Sequence, residues 1–416
     1  MARLEARFAR NIAVSACAVL LGWPTAGPLK ACARSSCRQP ASQEQTAEIL
    51  TTVRFSIAET GQAEEFRAGI PAVWGTLLVG NRRQPGTGES KRIVLTAVDS
   101  RFRPLWSRPL AGTRATAALA VDAGRDGFVI AGFARLRGGW GETAVLLRLD
   151  SQGHELWRRV FPGAGHTRAW ALAPRPQGGW LLTGDTRPRS DAPSDLWLAA
   201  TDADGVRLWE RRFGGPGKDA GRALAVVPDG SFVVAGYRQG QDRGDIDGWL
   251  MALTADGRSR WERTVGDPEL QEAFFTLTRN GADLVAAGQQ GRPGAASAVL
   301  AAAFGADGSA RWRECYQGAG ASMVFAARAL EDGGLLLAGE TVSPPQKNHQ
   351  VLLLQIDRRG STRRWRTLGG RNWERALALA DTPDGDLLIA GFVKSVQSAG
   401  FTPLLMNIDS LDLPPH

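Results

Sequence analysis

Short runs rich in Val, Leu, Ile and Ala recur along the whole chain, each closed by Gly, Asp or Pro, and none settles into the spacing of an amphipathic helix. One stretch shows the grammar. Apolar residues 223–227 meet the turn Pro228-Asp229-Gly230, a second run covers 232–236, a polar loop follows, a third run covers 249–254, and the turn Asp256-Gly257 leads into Trp261-Glu262-Arg263-Thr264. The pattern predicts four short antiparallel strands, here a to d, and very little helix. Asp126-Gly127, Asp229-Gly230, Asn280-Gly281, Asp332-Gly333 and Asp384-Gly385 fall between a and b, and Asp204-Gly205, Asp256-Gly257 and Asp307-Gly308 between c and d. Such pairs supply the positive φ that tight hairpins need.

The unit repeats. Trp106, Trp157, Trp209, Trp261, Trp312 and Trp365 stand 51, 52, 52, 51 and 53 residues apart. Gly80, Gly132, Gly184, Gly236, Gly288, Gly339 and Gly391 are spaced 52, 52, 52, 52, 51 and 52. A four-stranded meander cannot bury both faces alone, whereas sheets packed face to face around an axis can. The expected fold is therefore all-β: a seven-bladed β-propeller whose repeats start near residue 59. Both ladders read as structural, the glycine where backbones approach closely and the tryptophan as a plate between blades. The last unit lacks a Trp strand, and residues 50–57 (LTTVRFSI) alternate as a strand ahead of the first unit. Segment 49–58 is expected to be the outer strand of blade seven, closing the ring.

The segment Leu149-Asp150-Ser151-Gln152-Gly153-His154-Glu155-Leu156-Trp157, with its counterparts at 202–209 and 99–106, resembles the D-x-x-G-x-x-x-W repeat of bacterial exported β-propeller proteins. That repeat is related to the tryptophan-docking motif of the quinoprotein-like (PQQ-like) propellers. The resemblance covers about 360 residues and implies the fold; for activity it implies little. Thr254 and Gly305 replace the Asp in two copies, and Phe102-Arg103 stands in the first copy without the turn Gly. Sialidase Asp boxes have a similar character at shorter spacing, so no sialidase site is transferred.

Composition changes the picture in three places. The formal charge is +8, but only five of the 50 basic residues are Lys, and the Arg residues are dispersed among acids, which argues against a nucleic-acid stripe. Arg3, Arg7 and Arg10 precede an apolar run over 11–23 and the small-residue site Ala31-Cys32-Ala33, the pattern of a secretory signal over 1–33. Thirteen helical residues span roughly 20 Å, too short for a hydrocarbon core of about 30 Å, so no transmembrane span is expected. Val14-Ser15-Ala16-Cys17 and Leu29-Lys30-Ala31-Cys32 are imperfect lipoprotein boxes. A polar linker covers 34–48 and contains Cys37. Cys315 is then the one cysteine in the body, and reads as an inert buried thiol.

Candidate chemistry is sparse. There is no vicinal Cys pair for a quinone pocket, no G-x-S-x-G elbow, and the four His (His154, His166, His349, His416) read as loop or terminal residues. No cofactor is expected. Asp242, Asp245 and Asp247 before Gly248 weakly suggest a calcium loop but lack its remaining ligands. In a meander, the b–c loops and the links between blades share one face. The longer loops, at 82–89, 186–194, 238–246 and 342–350, all lie there, and Arg168, Arg222, Glu272 and Arg375 are placed at the channel mouth. The inner-strand acids Glu64, Glu65, Glu272 and Glu374 are few and mixed with Arg. The expected function is a non-enzymatic, exported, monomeric binding platform for a protein or glycan at the cell envelope, periplasmic or extracellular. The alternative is a propeller enzyme: a glycan-active hydrolase or lyase, with a pair of facing carboxylates as its signature, or, ranked behind it, a quinone-dependent dehydrogenase.

Overall fold

Each repeat folds as a single antiparallel meander in a computed structural model. It describes residues 37, 64–83, 91–110, 116–124, 126–135, 141–163, 165–227, 229–240, 244–343, 348–383, 386–394 and 401–408. Blade one comprises β1 (Glu64–Ala72), β2 (Gly75–Arg83), β3 (Lys91–Val98) and β4 (Pro104–Pro109), and blade two β5 (Thr116–Gly124), β6 (Gly127–Arg135), β7 (Glu142–Asp150) and β8 (Glu155–Phe161). Blade three comprises β9 (His166–Pro174), β10 (Trp180–Arg187), β11 (Asp195–Thr201) and β12 (Arg207–Phe213), and blade four β13 (Asp219–Val226), β14 (Phe232–Gln239), β15 (Ile246–Leu253) and β16 (Ser259–Val265). Blade five comprises β17 (Gln271–Asn280), β18 (Asp283–Gly291), β19 (Ala298–Gly305) and β20 (Ala310–Tyr316), and blade six β21 (Ser322–Ala329), β22 (Leu335–Ser343), β23 (Asn348–Ile356) and β24 (Thr362–Leu368). Blade seven comprises β25 (Trp373–Asp381), β26 (Leu387–Lys394) and β27 (Phe401–Ile408). Strands pair in sequence order in every sheet. The expected closing strand 49–58, the signal segment and both lipoprotein boxes lie outside the described residues. Among the described residues no helix is long and apolar enough to cross a membrane.

The apolar core lies between blades. Seven buried clusters each draw on two neighbours. Leu77, Val79 and Ile93 of blade one meet Phe128, Ile130 and Val145 of blade two, and Phe66, Leu78 and Val98 meet Leu388, Ala390 and Leu405 across the seam between blades seven and one. Strands a to c are apolar on both faces because both faces meet another sheet. The outer strands, such as RLWERRF in β12 and SRWERTV in β16, keep charges on their edge, which discourages pairing with other chains.

The D-x-x-G-x-x-x-W unit explains itself at these interfaces. The Asp carboxylate closes the c–d turn: Asp150 accepts the N–H groups of Gln152 (2.9 Å) and His154 (2.8 Å), and Asp202 and Asp357 do the same in blades three and six. Where Thr254 replaces Asp, its hydroxyl accepts the Arg258 N–H at 3.1 Å. The turn glycine receives the preceding blade's tryptophan. A Cβ on Gly153, Gly205, Gly257, Gly308 or Gly360 would come within 2.5–3.1 Å of Trp106, Trp157, Trp209, Trp261 or Trp312, respectively. An Arg two residues after the Trp stacks on its ring in four blades (Arg108, Arg159, Arg211, Arg263), which accounts for part of the Arg excess. In blade one Phe102 holds the turn position at φ 59°, and its own ring is buried in the seam cluster.

Two readings change. Trp365 stands opposite Leu354, whereas Trp312 of the preceding blade stands opposite Ala303, the residue before the strand-end bulge. The position matching Trp312 in blade six is therefore Arg364. The one-residue offset turns Trp365 to the other face, where it is 4% exposed within the cluster shared by blades five and six. Cys315, read as a free thiol, is joined to Cys37 across 278 positions. The polar linker is thus tied to the outer strand of blade five, a pairing that 278 intervening positions and the polar setting of Cys37 conceal in the sequence.

Candidate functional site

The strand b glycines locate the site. In every blade strand a carries one extra residue opposite that glycine. Phe66 pairs with Gly80 and Ala68 with Val79, leaving Arg67 unpaired, and the same slip leaves Leu119, Trp170, Arg222, Phe275, Phe325 and Leu377 unpaired in the following blades. The bulge swings a strand a carbonyl to the place where a Cβ on strand b would sit. At Gly184 a Cβ would lie 1.7 Å from the Arg168 oxygen, and at Gly236 1.9 Å from that of Ala220. The close approach that demands glycine is thus inside the blade. Bulges redirect side chains, and the inner strands of successive blades lie side by side around the axis, β25 returning to β1. The seven bulged side chains form one half-buried ring.

That ring is chemically lopsided. Phe275 and Phe325 stack with centroids 5.7 Å apart, with Leu377 next in order. Next to Phe275, in blade four, the Arg222 guanidinium lies 3.7 Å from the Trp170 ring and 5.7 Å from that of Phe275. Among the described residues it makes no hydrogen bond or ion pair. Burial pulls its pKa below the ordinary arginine value; Tyr237 and Asp185 oppose this, while Arg67 and Arg168 reinforce it. The nearby Asp185 carboxylate accepts the Trp170 indole N–H.

The carboxylates around the ring are occupied. Glu65 accepts Arg67 (3.0 Å) and Lys91 (2.8 Å); burial opposes its charge, but these two cations bring its pKa down to about 2. Glu340 is buried, a cost to its charge. Arg375 (Nε, 2.9 Å) and His349 (3.1 Å) nevertheless hold its pKa at about 2, and the Trp373 indole N–H also donates to it at 3.0 Å. Arg168 is bound to Glu142 and stacks on Phe133. Glu64 is paired with Arg82, and Glu374 receives the Gly370 N–H.

The four residues placed at the channel mouth therefore separate. Arg168 and Arg222 share one electrostatic neighbourhood, and Arg375 occupies the same inner-strand position in blade seven as Arg168 in blade three, engaged by Glu340. Glu272 is not at the mouth: it is 0% exposed and joined at 2.8 Å to Arg313, itself 2% exposed, from strand d of its own blade. Burial raises its pKa against the pull of Arg313, with Asp247 adding to the rise. Asp242 lies outside the described residues, Asp247 is drawn toward the Glu272 and Arg313 group, and no cluster of three or more His, Cys, Asp or Glu able to hold a metal occurs among the described residues. His166 and His349 open strands beside Glu142 and Glu340, whereas His154 bonds Asp150 in its turn.

The bulged residues fall at 67, 119, 170, 222, 275, 325 and 377, a third ladder at nearly the same pitch. Its residue type varies from Arg to Leu to Phe, so a search for repeated identities does not find it.

The chain is a seven-bladed β-propeller of antiparallel sheets. Searches matched no family model and no curated protein. Among solved structures it is similar to the phage phi92 endosialidase (9% identity, TM-score 0.49, covering 86% of this chain and 68% of that one). It is also similar to the β-propeller domain of the Trilobed protease from Pyrococcus furiosus (10%, 0.46, 85% and 99%) and to Sqt1 from Chaetomium thermophilum (11%, 0.46, 83% and 88%). At these identities the likeness concerns fold alone.

Proposed function

We propose that this chain is an exported, non-enzymatic propeller that acts as a binding platform at the cell envelope, using the b–c loop face and the channel mouth beneath it. One observation carries the reading. The inner-strand acids are engaged or sealed, while the channel ring presents a cation without an acceptor and a set of aromatic faces. General acid–base hydrolysis of a glycan needs two carboxylates facing the substrate, and Glu64, Glu65, Glu272 and Glu374 are committed elsewhere. The Cys37–Cys315 bond supports export, because structural disulfides persist in oxidising compartments. Docking of Trp157 on Gly205, and its repeats, supports kinship with the exported D-x-x-G-x-x-x-W propellers of the quinoprotein-like group.

The test is affinity capture from envelope extract with the mature, oxidised chain. A variant with the loops at 187–194 and 239–245 shortened is expected to lose the partner that the parent retains. Equal recovery by both would overturn the platform reading.

A further inference from the structure

We propose that the channel, at the level of the bulged residues, binds one small organic anion. Its carboxylate would sit against the Arg222 guanidinium, and a flat apolar body would lie over the Phe275 and Phe325 rings. This rests on the binding reading above and names the ligand's chemistry.

Three observations converge. Arg222 has five N–H donors, no acceptor among the described residues, and two aromatic rings for neighbours. A half-buried cation in that setting is costly until an anion joins it. The acid nearest to hand, Asp185, is turned to the Trp170 indole, and Glu65, Glu142 and Glu340 already hold other cations. The adjoining arc of the ring, Phe275, Phe325 and Leu377, is apolar at its bulged positions, and the Arg375 guanidinium over the Phe325 ring at 5.1 Å is held by Glu340. An inorganic anion would use only the first arc and a neutral aromatic only the second, while the Arg222 guanidinium repels a cation. A planar carboxylate uses both arcs, and the Arg fork matches its two oxygens. A free aryl acid and the C-terminal aromatic residue of a peptide share this chemistry.

The experiment uses the full mature chain with its disulfide intact, titrated by calorimetry with 2-naphthoate, with 2-naphthalenemethanol as neutral analogue, with inorganic phosphate, and with a hexapeptide ending in Phe. One 2-naphthoate per chain is expected, at least tenfold tighter than the alcohol or phosphate, and the tighter of naphthoate and peptide identifies the source. Arg222→Gln should weaken naphthoate at least tenfold and leave the alcohol unchanged. Phe325→Ala should weaken both. Thermal melts check that each variant is folded, and Arg222→Lys, which keeps the charge but loses the fork, should fall between parent and Gln. Absence of binding to the parent, equal binding of the alcohol, or an unaffected Arg222→Gln variant would each overturn the proposal. Capture reads the loss of a partner on shortening the loops, whereas the titration reads the channel alone, so a chain that loses its partner on loop shortening yet ignores naphthoate refutes this inference and leaves the platform reading standing.

Discussion

The Trp157 indole lies on Gly205 of the next blade so closely that a Cβ there would come within 2.5 Å of the ring, at a backbone φ of 75°. Gly205→Ala should therefore suffer twice, from the left-handed backbone and from the clash. Gly281, at φ 62° with nothing within 4 Å of a Cβ, provides the comparison. Gly281→Ala is expected to cost about 1 kcal/mol and Gly205→Ala about 3 kcal/mol. Urea unfolding of the two variants reads the difference; equal losses would show that the tryptophan does not press on the turn.

The displaced tryptophan makes a second contrast. Trp365 is sealed between blades five and six, whereas Trp261 is half-buried with its N–H on the Ala306 carbonyl at 3.0 Å. Trp365→Ala should cost about 4 kcal/mol, in the range for a fully buried aromatic, and Trp261→Ala roughly half of that. Equal losses would place Trp365 in the same role as the other five.

Reduction should loosen the ring. A bond that closes a loop of 278 positions restricts the unfolded chain by about 5 kcal/mol on the chain-entropy scale. For a domain of this size that corresponds to a fall in Tm of roughly 5 °C. Calorimetric scans with and without reductant, alongside a Cys37→Ser, Cys315→Ser double variant, give the value. The double variant should melt with the reduced parent and show no further response to reductant.

Acid should act through Glu340. Its pKa is about 2 in the folded chain against an ordinary 4.5, so the unfolded chain takes up the proton first. The stabilisation is complete above about pH 4.5 and is lost as the pH falls through 2, a total of about 3 kcal/mol. Glu340→Gln should be less stable at pH 7 and show a shallower acid limb between pH 4.5 and 2. Unfolding free energies across pH 2–7 measure both, and an unchanged acid limb would remove Glu340 from the account.

The ladders were legible because each rests on a hard steric demand. Only glycine tolerates the Arg168 carbonyl opposite Gly184 or the Trp157 ring over Gly205, so identity is repeated wherever the geometry is. The ring at 67, 119, 170, 222, 275, 325 and 377 was not legible, because a bulge fixes where a side chain points and leaves its chemistry free. The spacing of 53 before Trp365 was visible, but its meaning was not: one extra residue flips a strand position only relative to a bulge whose place the sequence does not mark. The partner of Cys315 was hidden by distance along the chain, and the burial of Glu272 by an Arg three strands away.

The apolar clusters carry one more implication. Since each is shared between two blades, no blade owns a core. Deleting a repeat from the gene would not yield a slightly smaller protein. It would force two faces shaped for other neighbours to meet at a changed angle around a narrower axis. Repeat number is therefore locked by closure.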